Sequence, residues 1–403
     1  MVRQLRVSYV LFVLFIAGLL LTGCIDRTEL NELAITTATG IDGHKGDWIN
    51  TYQIIIPSAM TTGSGGSSTG ASQSAVHTFS THGKTLRETV TKSSLEYPRK
   101  LYFAQNNILV IGKKAAEQGI EEIIDIYLRN LDSRETVKVF IANGEARDFL
   151  KKLVLPEKIP GQALEKIIER DSKLGSIYPA ISMYEFISKI SSDSGAAGVP
   201  EISIEGSEPE KLDSVDVFKE PSAKSKLKLS GLSIFEKDKR VGFLNEKESM
   251  GVSWLNNQIK NTTVNYVDGN VTSAFLIRKA KIKVTPIKNL NHYYLNVDVK
   301  ATGDLLSASS QREMKNIQST HQLQMQAAET IRLQIQEGWK ALQQKNIDLI
   351  GIGNKIHHKY PTDWKKIKET WPGELANMDI KIDVKMKLAR PGLFEKSFNE
   401  LLK

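Results

Sequence analysis

The 403-residue sequence predicts an α+β fold with mostly antiparallel sheets and one long helix packed on a carboxyl-terminal strand layer. Residues 262–302 alternate apolar and polar side chains over a long run, the two-residue period of strands with one buried face. Residues 311–345 then place Ala328, Ile331, Ile335, Trp339 and Leu342 three and four positions apart, a stripe that a helix lays on an apolar layer. Upstream, strand and helix patterns interleave without the regular beat of βαβ units, which separates the chain from a doubly wound sheet.

The chain opens with a leader. Arg3 and Arg6 precede an apolar run over residues 7–20, and small residues lead up to Leu21-Thr22-Gly23-Cys24. This run has the length of a secretory h-region and falls short of the roughly 20 residues of a spanning helix. Asp26, Arg27 and Glu29 follow at once. Residues 1–23 therefore read as a lipoprotein signal peptide cleaved between Gly23 and Cys24. The freed Cys24 is the expected lipid attachment site, its thiol taking a diacylglyceryl group and its amine an acyl chain, as in bacterial lipoproteins carrying this box. Two or more chains hold a protein stably on a membrane where one does not.

Cys24 is the only cysteine. Once it is acylated, disulfides and thiolate metal sites are impossible, and an exported fold of this size must rest on its hydrophobic cores. The 54 Lys and Arg less the two leader arginines leave 52 basic against 46 acidic side chains, a net of +6. That charge can favour an anionic membrane surface, whereas no dense Lys/Arg block interleaved with aromatics points to nucleic acid.

The elements follow in order. Residues 34–40 read as a strand entering a turn at Gly40-Ile41-Asp42-Gly43, and residues 48–57 as its hairpin partner. Residues 61–74 hold almost only Gly, Ser, Thr, Ala and Gln, which cannot bury enough apolar surface to offset ordering, so a mobile loop is expected. Leu86, Val90 and Leu95 suggest a helix over 83–96, followed by a strand pair or one bent strand over 101–112. Helical periodicity returns over 115–131, a strand over 137–142, and helices over 145–153, 162–171 and 182–190.

Residues 24–204 make up an amino-terminal α+β domain on this reading. Pro, Ser, Asp, Glu and Lys dominate 205–226, the composition of a linker or exposed excursion. A hairpin over 227–235 and 240–244 and a helix over 247–258 form a small middle α+β domain, 227–268. The carboxyl-terminal α+β domain, 269–403, contains a strand over 270–286 paired with one over 293–301 across Asn289-Leu290-Asn291, and then the long helix.

A search for chemistry finds none of its usual parts. His357 and His358 are adjacent, so on a helix they point about 100° apart and do not chelate one ion as an i, i+4 pair would. The Gly-x-Ser-x-Gly match at Gly66-Ser67-Ser68-Thr69-Gly70 falls inside the Gly/Ser-rich run expected to be a loop, without the flanking strand and helix that make a nucleophile elbow. Gly351-Ile352-Gly353 lacks the third glycine of a dinucleotide fingerprint and reads as a tight connection. Glu246 and Glu248 beside Trp254 are a solvated pair rather than the acid and nucleophile of a hydrolase. No catalytic residue, metal or cofactor is expected.

Four ordered stretches resemble the Ger(x)C family, the C-subunit lipoproteins of spore germinant receptors. The first is Asp26-Arg27, Glu29-Leu30, Leu33-Ala34 and Gly40-Ile41-Asp42, with Ile25 where the family usually has tryptophan. Arg99-Lys100-Leu101-Tyr102-Phe103-Ala104 running into 108–112 is the second, with Gln105 in place of a frequent histidine. A third comprises Gly231-Leu232-Ser233-Ile234-Phe235, Asp238-Lys239, Gly242, Glu248, Gly251 and Trp254-Leu255; the last, Asp348, Gly351, Gly353, Pro361, Trp364 and Trp371.

The resemblance implies three small mixed α/β domains at the outer face of the cell membrane, in spores the inner membrane. It also implies two integral membrane subunits as partners and a response to small nutrients. A lipid-anchored solute-binding protein would share the leader but should read as two lobes of βαβ units. An anchored hydrolase would need a catalytic constellation. If Cys24 carries the anchor, mass spectrometry of the membrane-extracted protein should find it diacylglyceryl-modified, and Cys24→Ala should leave the chain unprocessed; an unmodified native Cys24 contradicts the reading.

Overall fold

The structure, a computed structural model, describes residues 29–60, 73–129, 133–269, 271–290, 292–308 and 317–390, with Gln4, Ser8 and Tyr9. In the first half, β1 (Leu33–His44), β2 (Asp47–Ile55) and β3 (Val76–Gly83) precede α1 (Leu86–Glu96). Next come β4 (Lys100–Tyr102), β5 (Ile108–Gly112), α2 (Lys113–Gln118), α3 (Glu121–Arg129) and β6 (Lys138–Ala142). Three helices, α4 (Ala146–Leu150), α5 (Pro160–Leu174) and α6 (Met183–Ile190), lead to β7 (Ala196–Gly206), β8 (Ser225–Glu236) and β9 (Lys239–Leu244). The second half runs α7 (Glu246–Leu255), β10 (Thr262–Asp268), β11 (Val271–Asn289), β12 (His292–Ala308), α8 (Ile317–Lys345), α9 (Ile352–Lys359), α10 (Pro361–Ile367), α11 (Trp371–Ala376) and β13 (Asp379–Arg390).

The strands form two sheets, and the fold is α+β. One has nine strands in the order β3-β2-β1-β5-β6-β7-β8-β9, with β4 also beside β1. Its centre, β1-β5-β6-β7, is parallel and its flanks are antiparallel hairpins. The parallel centre follows from the sequence: all of Ile108–Gly112 is buried, as strands covered on both faces require. One face packs Leu109, Ile111, Val139 and Ile141 on Phe186 of α6. The other packs Ile108, Val110 and Phe140 on Phe149, Leu164 and Ile168 of α4 and α5.

The second sheet, β10-β11-β12-β13, is antiparallel except for its last pair. Helix α8 lies on it. Leu323, Ala327, Ile331, Ile335, Trp339 and Leu342 are buried in one core with Val297 and Val299 of β12, while Ala328 sits half-buried at the flank. Side-chain caps define two other helix starts. Ser182 with Glu185, and Asn245 with Glu248, form reciprocal capping boxes that satisfy amide donors at the start of α6 and α7.

Several elements differ from expectation. Strand β1 continues through Asp42 to His44, and the β1–β2 turn falls at Lys45-Gly46. Helix α1 buries Leu86, Thr89 and Ser93 and leaves Leu95 exposed. Its small hydroxyl residues can be buried because Thr89 Oγ1 and Ser93 Oγ donate to the Leu86 and Val90 carbonyls, each at 2.7 Å.

Residues 205–226, read as a linker, carry 3-10 turns at Pro209–Asp213 and Val215–Lys219, whose Leu212 and Val217 are buried against Leu153 and Ile159. One buried apolar side chain per short turn holds this polar excursion on the body. Residues 227–268 divide between the sheets: β8 and β9 extend the large one, and β10 opens the small one. The expected loop lies outside the described residues except for Gln73 and Ser74, as does the expected helix start at 311–316.

Trp339 is 3% exposed in the core beneath α8. Trp339→Ala should destabilise the chain by about 3–5 kcal/mol in denaturant unfolding. A loss below about 1 kcal/mol would mean that the stripe does not pack on the sheet.

Candidate functional site

Gly23 and Cys24 lie outside the described residues, which resume at Glu29, ahead of a 3-10 turn at Leu30–Glu32 that runs straight into β1. Among the described residues no helix is long and apolar enough to cross a membrane. No group of three or more His, Cys, Asp or Glu could hold a metal ion among them either.

The motif residues of the resemblance take structural positions. Asp42 reaches across to the start of α4, its Oδ1 accepting from Ala146 N at 2.7 Å and its Oδ2 from Arg147 N at 2.9 Å. Burial raises the Asp42 carboxyl above its ordinary value, and the Arg147 and Ala146 amides act against that rise. A Cβ at Gly112 would collide with the same carboxylate, so glycine there keeps the cap in place. Gly231 is bare because a Cβ would enter the Phe243 ring across the β8–β9 hairpin.

Asp348 joins the two halves. Its Oδ1 accepts from Ile352 N at 2.9 Å, and its Oδ2 accepts from Gly353 N at 2.7 Å and from Ser194 Oγ at 2.7 Å. The Ser194 amide donates to Asn354 Oδ1 at 3.0 Å, and His357 Nδ1 stands 2.6 Å from Asp193 Oδ2. One carboxylate thus caps α9 and holds the loop before β7. Gly351, at φ 70°, supplies the left-handed turn that lets α9 start here. Gly353 leaves room for Trp364, which meets Trp371 edge-on at 5.4 Å.

Sequence reading missed a further buried cluster. Arg240, with 9% of its side chain exposed, pairs with Glu201 at 3.0 Å and Glu117 at 3.0 Å and donates through Nε to Ser233 Oγ at 2.9 Å. These residues come from β9, β7, α2 and β8. Only the register brings them together, and no spacing along the chain signals it.

One large cleft opens between the halves. Leu174, Ile177, Glu246, Met250, Thr262 and Leu333 help to line about 650 Å³ bounded by the end of α5, α7, β10 and α8. Beneath it, burial raises Asp171, the Tyr178 and Ile177 amides oppose the rise, and the Glu246 carboxylate adds to it. Tyr178 is raised by burial, then by Glu246 and Asp171. The cleft offers apolar walls with Glu246, Lys247 and Glu337 among the residues that line it.

Comparison with known proteins decides the family. Residues 26–204 match the spore germination protein N-terminal domain, and residues 230–392 match the spore germination B3/GerAC-like C-terminal region. The chain belongs to the Ger(x)C family of spore germination proteins. The two matches stop and resume on either side of the 205–226 excursion. Spore germination protein KC of Bacillus subtilis is 26% identical over 388 residues, covering 94% of this chain and 95% of that one. Spore germination protein B3 of the same organism is 23% identical, covering 94% and 97%. The crystal structure of the GerBC protein superimposes with a TM-score of 0.56 at 17% identity, over 90% of this chain and all of that one, which shows the shared fold.

Within this Ger(x)C chain the Asp348 latch should be cooperative. Asp348→Ala leaves two amides and a hydroxyl without their acceptor and should cost about 2–4 kcal/mol, and Ser194→Ala about 1 kcal/mol. The double variant should lose less than the sum in urea unfolding; strict additivity would mean that the two residues act independently.

Proposed function

We propose that this chain is the lipid-anchored subunit of a nutrient germinant receptor complex. Membership of the Ger(x)C family assigns it a role in spore germination; the anchor and the complex are our reading. The observation that carries it is the pair of ordered family matches covering 26–204 and 230–392, beginning immediately after the lipid box. In this account Cys24 tethers the mature chain to the outer face of the membrane, in spores the inner one. The folded body meets two integral membrane subunits there and contributes binding surfaces rather than catalysis.

A two-lobed solute-binding protein would place similar βαβ lobes on either side of its cleft. Here one side of the cleft comes from a nine-stranded mixed sheet with its helices, the other from a four-stranded sheet under one long helix.

Spores lacking the gene should fail to germinate with one set of nutrients and respond normally to agents that bypass nutrient receptors. Cys24→Ala should weaken the same response, because tethering raises local concentration without creating the binding contacts. Unchanged responses to every nutrient, in a strain without redundant receptors, contradict the proposal.

A further inference from the structure

The face of the carboxyl-terminal sheet turned away from α8 carries an unusual charge pattern. Register places Lys281 opposite Lys300, and Lys300 opposite Lys385, so three lysines stand side by side across β11, β12 and β13. On one side of this row lie Lys279, Thr302 and Lys387; on the other, Lys283, Asp298 and Asp383. All six lysines are exposed. The alternating partners Ile282, Val299 and Met386 are buried in the core on the opposite face.

Like charges directly opposite on neighbouring strands are destabilising. A merely solvated face relieves this by mixing the signs, as the row of Lys283, Asp298 and Asp383 does in part, with Lys283 opposite Asp298 but Asp298 opposite Asp383. The central row does not. Lys385 reaches Asp383 at 3.6 Å, and the other five lysines have no ion pair among the described residues.

We infer that this lysine face is an electrostatic docking surface for an anionic lipid membrane. The inference rests on the membrane placement proposed above and adds the orientation: the outer face of β11–β13 turns toward the headgroups. Two features select lipid over an acidic protein. The rows contain no arginine, tyrosine or tryptophan, the anchors that dominate protein interfaces. Lysines on flexible stems, spaced about 4.8 Å across strands and about 7 Å along them, match many mobile single charges rather than one fixed carboxylate geometry. Each such lysine near an anionic leaflet contributes enough for three together to matter on the order of 100-fold in affinity.

The test uses the mature chain carrying Cys24→Ser, so that no acyl chain contributes and the outcome is independent of whether Cys24 is lipidated. It should sediment with vesicles containing phosphatidylglycerol, not with pure phosphatidylcholine, and be released by high salt. The triple variant Lys281→Gln/Lys300→Gln/Lys385→Gln should lose on the order of 100-fold in vesicle affinity while melting at the same or a higher temperature. Removing equal charge elsewhere, by Lys114→Gln/Lys151→Gln/Lys158→Gln, should change affinity only a few-fold. Equal loss in both variants, no binding to anionic vesicles, or selective binding to polyglutamate instead would overturn the inference; the last result would assign the face to an acidic protein.

Discussion

The molecule turns on a backbone contact between two glycines. Helix α7 leaves the last hairpin of the nine-stranded sheet, α8 covers the four-stranded one, and the two helices touch at Gly251 and Gly338. A Cβ on Gly251 would stand 2.5 Å from Gly338 N and collide with the Gln334 carbonyl, while one on Gly338 would stand 2.5 Å from the Gly251 carbonyl carbon. Glycine inside a helix costs roughly 1 kcal/mol relative to alanine, so close approach is what justifies both residues. The approach brings Trp254, fully buried, within 2.9 Å of Gln334 Oε1 through its indole N–H. One continuous core then runs from Leu232 and Ile234 of the large sheet to Val297 of the small one and Ile335 of α8.

Around this contact the family motifs acquire a common meaning. Asp42 caps a helix more than a hundred positions away in sequence, and Asp348 caps α9 while holding Ser194. Gly112, Gly231 and Gly353 each clear space for a neighbouring group. These residues build a body of fixed shape. The surface inferred to meet the membrane lies outside that framework, on the lysine rows.

Much of this architecture is legible in the sequence because it depends on period alone. The α8 stripe, the β11–β12 hairpin and the β8–β9 hairpin are local patterns, and the structure places them at nearly the expected residues. Local pattern fails where burial is polar or partners are distant. Thr89 and Ser93 occupy the inner face of α1 because they bond to their own helix, which no hydropathy pattern reveals. The 205–226 excursion looks like a linker because it has few large apolar residues, yet Leu212 and Val217 are buried and Lys152 pairs with Asp213 at 2.9 Å. Arg240 with Glu201, and Lys281 with Lys300 and Lys385, exist as clusters only once strand register is known. Cys24, the proposed lipid attachment site, is read from a leader pattern and not from the fold.

The central structural claim is that the glycine contact makes the two sheets one cooperative body. Hydrogen exchange of the mature chain across a denaturant series tests it most directly, following the amides of β8 and β12 separately. The account predicts that both strands lose protection in one transition, and that Gly338→Ala splits it, with β12 opening at lower denaturant than β8. Two separate transitions in the parent chain, or an unaltered single transition in Gly338→Ala, would contradict it.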